Sequence, residues 1–418
     1  MKNVLFIVYY FPPMGGSGVQ RPLKFIKYLR QYGWNPIVLC PDPGAYHTFD
    51  TSLNEELKSL DVEVHRVGGN TPLHVAGNKS VTLPPFVENT LRKISASLWL
   101  PDNKKGWIKP GFEKALQLIE EKNIELIFST AAPYSNLMLA ADLKEKTGLP
   151  TVMDLRDEWL ESHLIYYPTV WHKRKMAKIE KDTLDKADVI TVINDAYLES
   201  FGNRFPDKDI RVVTQGYDPG DFKEVPKAGK KSKLRLLYSG LFYGDRKPDL
   251  FLKAVRNILN GNTGLESVLE LQFQGGLSSE AQEVIKTLNL THIVKDFGYV
   301  DHKEAVKNLL NADALWLMIG HLKNADKVTV GKMFEYFGAK KPILALIPEG
   351  NGRELLIQYG AAYFAHPHSI EEIQAEIEAL IADYKNSKLP DPNNKFVDQF
   401  NRERIAGELA QIFTVISS

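Results

Sequence analysis

Two doubly wound α/β domains are what this chain predicts, and three observations predict them. Short apolar runs of strand length alternate with helical periods from end to end, the alternation occurs twice, and 418 residues exceed what one hydrophobic core usually serves. In the first half the strand candidates are residues 4–9, 36–40, 62–67, 126–130, 151–155 and 189–193. In the second they are residues 234–239, 269–274, 293–297, 314–319, 342–347 and 361–364. Helical spacing fills the intervals, at 19–31, 135–146, 250–259, 279–288, 303–311 and 370–384. Such β-α-β repetition implies parallel sheets with right-handed crossovers and helices on both faces. Residues 203–234, rich in Pro, Gly, Asp and Lys, read as a linker holding one strand at 210–214. In the tail, Phe396, Phe400, Ile405, Leu409 and Phe413 approximate one face of a terminal helix. The expected division is therefore 1–205, 206–394 and a helix over 395–418, with ligands at the carboxyl ends of both sheets, in a cleft between the domains.

Composition narrows the function. Hydrophobic residues make up 44% and charged residues 25%, as in ordinary soluble globular proteins. Lys plus Arg (52) balances Asp plus Glu (52), so there is no whole-protein field to attract nucleic acid or a membrane. Cys40 is the sole cysteine, which rules out an intramolecular disulfide and fits a reducing, cytoplasmic setting. The apolar start at Val4 reads as the first core strand, not a signal peptide, because Pro12-Pro13 and glycines follow where a cleavage site would lie. No apolar run is long enough to span a bilayer.

The most informative stretch is residues 329–344. It sets Glu335 in a short helix between two apolar strands, with Gly331 and Lys332 at the helix start. Helix starts attract anions through free N–H groups and the dipole, and a carboxylate just behind could hold the hydroxyls of a sugar joined to a phosphate. A surface glutamate on an amphipathic helix is the plainer alternative. The first strand runs into a loop containing Gly15 and Gly16, where glycines admit a ligand to the backbone or merely make a tight turn. That loop does not match Gly-x-Gly-x-x-Gly, although Asp42 past the second strand keeps a nicotinamide enzyme as a rival. After the strand at 234–239, Gly240 leads to Arg246 and Lys247, a cation pair able to clamp a diphosphate. Asp154, Arg156, Asp157 and Glu158 set several charges at another strand edge. Asp207-Lys208-Asp209 formally matches an Asp-x-Asp metal motif, but as part of a solvated linker, and no metal site is expected. Residues 86–107 mix Arg92, Lys93, Lys104 and Lys105 with Phe86, Trp99 and Trp107. With His172-Lys173-Arg174-Lys175 they could meet an anionic membrane or simply form an exposed basic face.

Taken in order, residues 11–18, 151–159, 240–247, 297–300 and 331–342 resemble the GT-B fold glycosyltransferases, most closely glycosyltransferase family 4, over essentially the whole chain. The resemblance implies retaining, metal-independent transfer from a nucleoside-diphosphate sugar to a glycan or lipid-linked acceptor, in surface polysaccharide or glycoconjugate synthesis, with no cofactor and no nucleic-acid partner. It implies donor binding by the C-terminal domain, acceptor binding by the N-terminal domain, and a final helix crossing back to the latter. By the same resemblance Glu335 holds the ribose, Arg246 and Lys247 neutralise the diphosphate, and Tyr299 and Val300 face the base. Gly15 and Gly16 approach the donor, and Arg156 and Asp157 line the reacting centre. The chain departs from the family pattern at Lys327, where the first of two paired glutamates is usual, and at Leu241, where arginine is common. Sugar-nucleotide epimerases share the fold, and a non-catalytic nucleotide-binding protein is a rival of another class.

Overall fold

The computed structural model describes residues 1–43, 49–68, 99–162, 165–223, 233–242, 247–320 and 325–418. The chain forms two compact units: Met1–Gln215 together with Arg402–Ser418, and Gly216–Asn401.

Unit 1 is built on β1 (Lys2–Ile7), β2 (Trp34–Pro41), β3 (Val64–Val67), β4 (Ile124–Ala131), β5 (Thr151–Leu155), β6 (Val189–Val192) and β7 (Asp209–Val212). Its described helices before the crossover are α1 (Ser17–Leu29), α2 (Thr51–Ser59), α3 (Ile108–Glu121), α4 (Ser135–Thr147), α5 (Val170–Leu184) and α6 (Asp195–Arg204). The strand order is β3-β2-β1-β4-β5-β6-β7 and every pairing is parallel. Alternate side chains of a strand face opposite ways, so Leu5 and Ile7 enter one core layer and Val4 and Phe6 the other. Both faces are covered, which is why these strands read as continuous apolar runs.

Unit 2 repeats the scheme with β8 (Leu234–Ser239), β9 (Leu269–Gln274), β10 (Val294–Asp296), β11 (Ala314–Met318), β12 (Ile343–Leu346) and β13 (Ala362–Ala365). They lie in the order β10-β9-β8-β11-β12-β13, again all parallel. Its helices are α7 (Asp249–Gly261), α8 (Ser279–Thr287), α9 (His302–Asn311), α10 (Gly331–Ala339), α11 (Asn351–Tyr359), α12 (Ile370–Lys385) and the single turn α13 (Asn394–Val397). The last helix, α14 (Arg402–Ile416), returns to unit 1.

Two boundaries differ from the sequence expectation. The strand expected inside the linker is β7, and it pairs with β6 from Val189↔Asp209 to Val192↔Val212, so unit 1 continues to Gln215, past residue 205. The tail is not one helix. Phe396 and Phe400 belong to the core of unit 2, whereas Ile405, Leu409 and Phe413 belong to that of unit 1. The helix breaks between these sets at Asn401, which is extended and bridges Tyr217. Phe413 then sits 5.4 Å from Trp34 and 5.7 Å from Phe128, ring centre to ring centre.

Candidate functional site

In unit 2 the connection order reverses between β8 and β11, and such switch points are where open α/β sheets bind ligands. Helix α10 is fastened there by a residue the sequence reading passed over. The Tyr336 hydroxyl accepts from the Ser239 N–H (3.0 Å) at the end of β8 and donates to the Trp316 carbonyl (3.1 Å) of β11. Residues three and four apart share a helix face, so anchoring Tyr336 aligns Lys332 with the same place and sets Glu335, half-buried, beside them. Lys332 Nζ lies 4.1 Å from the centre of the Tyr238 ring. It would also lie 2.9 Å from a Cβ placed on Gly240. Gly331 at the exposed helix start has no side-chain cap before it and no acidic residue in its first turn, an arrangement that suits an anion.

The neighbouring strand ends are closed by glycines. The Gly240 N–H donates to the Gln274 carbonyl and the Gly275 N–H to the Gly298 carbonyl, both at 2.8 Å. This carries the loops after β8, β9 and β10 along one edge. Gly275, which no local sequence pattern marks, packs directly on the Gly240 backbone, with Gly276 beside it. Beside them Tyr299 is exposed, Val300 is half-buried and Leu241 is exposed. Lys247 is exposed just before α7. Arg246 lies outside the described residues.

In unit 1 the reversal falls between β1 and β4. Gly16 precedes α1 as its N-cap, exposed, and Gly15 beside it is buried. Arg156, half-buried after β5, reaches back across this point. Its guanidinium donates to the carbonyls of Ala131 (2.6 Å), Ala132 (3.1 Å) and Gly18 (2.7 Å). It thereby ties the first turn of α1 to the end of β4. Asp157 beside it is half-buried.

The charges at 154–158 do not all face outward, as the sequence suggested. Asp154 is buried and takes four donors: Arg21 Nε (3.0 Å), Arg21 Nη2 (2.8 Å), Thr130 Oγ1 (2.7 Å) and Thr191 Oγ1 (2.8 Å). Burial would raise its pKa, but Arg21 and the two hydroxyls outweigh it and hold the carboxyl below its ordinary value. Glu158 turns inward too, accepting from Arg204 Nη2 at 2.7 Å. Glu180 of α5 shares that guanidinium at 3.4 Å and accepts the Leu160 N–H at 3.2 Å.

Burial first, then the nearby Glu158, push Glu180 up to about 7, against the pull of Arg204 and the Leu160 N–H. A carboxyl whose native pKa is raised contributes its stabilisation below the ordinary glutamate value, and loses it as pH rises toward about 7. Glu180→Gln keeps an acceptor for Leu160 and removes that loss. Its denaturation midpoint should match the parent near pH 4 and exceed it at pH 8 by the equivalent of about 3 kcal/mol, which follows from the rise to about 7. A parallel pair of pH profiles would contradict this.

Two other expectations change. Asp209 is exposed, as expected, but it lies in the sheet and not in a linker: it opens β7 and pairs with Arg211. Trp107 and Lys104 do not belong to an exposed basic face. Trp107 is fully buried, edge-on to Tyr9 at 5.6 Å, and Lys104 is buried with its ammonium 5.8 Å from the centre of the same ring. Residues 86–98, which include Arg92 and Lys93, lie outside the described residues. Among the described residues no cluster of three or more His, Cys, Asp or Glu is placed to hold a metal ion, and no helix is long and apolar enough to cross a membrane.

No protein-family model matches the chain, and no curated relative matches it by sequence. Solved structures do match in fold. Sucrose-phosphate synthase from Thermosynechococcus elongatus superposes with a TM-score of 0.66 at 15% identity, over 99% of this chain and 98% of that one. A glycosyltransferase from Rickettsia africae gives 0.64 at 14% identity, over 99% and 98%. A mutant of S. aureus TarM, solved with Fondaparinux, alpha-GlcNAc-glycerol and UDP, gives 0.62 at 10% identity, over the full length of both chains. At such identities the likeness is one of fold, and the fold of this chain is GT-B: two Rossmann-like parallel sheets, each covered by helices.

Proposed function

We propose that this protein is a glycosyltransferase that moves a sugar from a nucleoside-diphosphate sugar to a glycan or lipid-linked acceptor. The observation that carries the reading is the face of α10 at the unit 2 switch point. It sets the Lys332 cation beside the Gly240 loop, where a glycine lets a ligand approach the backbone, and carries the Glu335 carboxylate one turn further along the same helix. In this reading unit 2 binds the donor. Glu335 accepts from the ribose hydroxyls, Lys332 and the first N–H groups of α10 meet the diphosphate with Arg246 and Lys247, and Tyr299 and Val300 flank the base.

The chemical difficulty is negative charge gathering on the departing diphosphate while the sugar becomes cationic. Fixed cations and helix-start amides stabilise that charge without reorganising. Transfer is therefore read as metal-independent and, following the family resemblance, retaining. The donor enters as substrate, so no resident cofactor is needed. Unit 1 receives the acceptor near Asp157, with Arg156 positioning the loops. The setting is cytoplasmic polysaccharide or glycoconjugate synthesis.

Titration calorimetry with a panel of nucleoside diphosphates tests the site. One of them should bind, and Glu335→Gln and Lys332→Ala should each weaken it about tenfold, near 1.4 kcal/mol. Unchanged affinity in both variants would remove α10 from the site. Incubation with the matching nucleotide sugar then separates the readings. Transferred sugar supports the proposal, an epimerised nucleotide sugar supports an epimerase, and binding without turnover over a wide acceptor panel supports a non-catalytic protein.

A further inference from the structure

The first turns of α5 bring exposed apolar side chains and cations together. Val170 is 69% exposed, Trp171 59% and Tyr166, just before the helix, 45%. Helical spacing sets Arg174, Lys175 and Lys178 on the same stripe as Trp171, while Met176, Glu180, Thr183 and Leu184 face the interior. Lys175 Nζ rests 4.8 Å from the centre of the Trp171 ring. Further along the helix the cations are neutralised, Lys178 by Asp182 (3.0 Å) and Lys181 by Asp185 (2.6 Å), and at the start Lys173 pairs with Glu161 (2.7 Å). Among the described residues no carboxylate pairs with Arg174 or Lys175. From Ser162 to Ile179 the sequence has no acidic residue at all. The excess positive charge therefore sits where the apolar side chains are.

We propose that this end of α5 docks unit 1 on an anionic lipid bilayer. Trp171 and Tyr166 have the amphipathic rings that settle at a membrane–water boundary. Val170 has neither charge nor ring, so it gains only by leaving water for the acyl boundary, which a bilayer offers and a nucleic-acid backbone does not. Arg174 and Lys175 then reach the headgroup phosphates beside it. A chain with zero net charge lacks long-range attraction, so docking must depend on this local pairing of apolar and cationic groups. The inference stands whether or not the protein transfers sugar.

Co-sedimentation of the full chain with vesicles tests it. The protein should bind vesicles of mixed phosphatidylglycerol and phosphatidylcholine, release as salt rises, and ignore phosphatidylcholine alone. Trp171→Ala should lower partitioning about tenfold, and the double change Arg174→Glu, Lys175→Glu should abolish it. Both variants alter exposed positions, and unchanged circular dichroism and unfolding midpoints would show that they fold. Failure of the parent to bind anionic vesicles at low salt overturns the proposal, as does binding that survives both variants. Binding to heparin or duplex DNA at the same strength, with Trp171→Ala without effect, would instead show a general polyanion surface and overturn it as well.

Discussion

Asp154→Ala should lower the stability of unit 1 by about 3–5 kcal/mol, the range for leaving a buried charge without its partner. Arg21 and Asp154 have side chains only 4% and 1% exposed. The loss is more than one contact. Arg21 also donates to the carbonyls of Val213 (2.7 Å) and Thr214 (2.6 Å), and Asp154 joins Thr130 of β4 to Thr191 of β6. Urea unfolding followed by tryptophan fluorescence reads it, since Trp34, Trp107 and Trp159 are all buried in unit 1. A midpoint within error of the parent would refute the assignment. The double variant Arg21→Met, Asp154→Leu should be less destabilised than Asp154→Ala alone, because it leaves no unpaired charge. The pH dependence has a definite sign. A carboxyl with a lowered native pKa gives its stabilisation above the ordinary aspartate value, roughly 3.9, and loses it as pH falls through the native value. Asp154 and Glu180 thus weaken unit 1 from opposite ends of the pH scale, Asp154 in acid and Glu180 toward neutrality.

Gly275→Ala is expected to disrupt the strand-end loops of unit 2, at a cost of about 2–4 kcal/mol from backbone strain plus overlap. Gly275 has φ +112°, and a Cβ there would meet the Gly240 carbonyl carbon at 2.7 Å and its oxygen at 2.8 Å. Those are main-chain atoms, and Gly240 is itself held by its hydrogen bond to Gln274. The loop must therefore move, taking with it the ground beside Lys332. Gly276→Ala is the matched control. Its φ is +98° but nothing lies within 4 Å of the new Cβ, so it carries strain alone, about 1 kcal/mol. Thermal unfolding should separate the two variants clearly. If the proposed donor site is correct, Gly275→Ala should also weaken nucleoside diphosphate binding far more than Gly276→Ala does. Equal effects in both assays would mean that loop contact does not matter.

The fold was largely legible because a strand covered on both faces must be apolar along its whole length, and such runs are visible without knowing their partners. The start of α10 was legible for a similar reason: a glycine, a lysine and a glutamate between two apolar runs make a local pattern. What the runs could not disclose was direction. Asp154 and Glu158 look like surface charges in a row, yet each turns inward to an arginine distant in sequence, Arg21 and Arg204. Trp107 sits in a basic stretch that reads as exposed, and packs instead against Tyr9 from β1's end. The tail has one continuous helical period, but its aromatic residues belong to two different cores, and the helix breaks where they divide.

Periodicity, composition and the glycine-rich strand ends were thus enough to specify two parallel sheets and the neighbourhood in which a ligand would bind, since these follow from burial and backbone geometry that each segment carries locally. The assembly decided which charges face that neighbourhood. Tyr336 orients Lys332 and Glu335 by bridging β8 and β11, and Arg156 commits its donors to the carbonyls of Gly18, Ala131 and Ala132. Buried polar groups must find partners wherever the chain has placed them, and no pattern along the sequence records where that is.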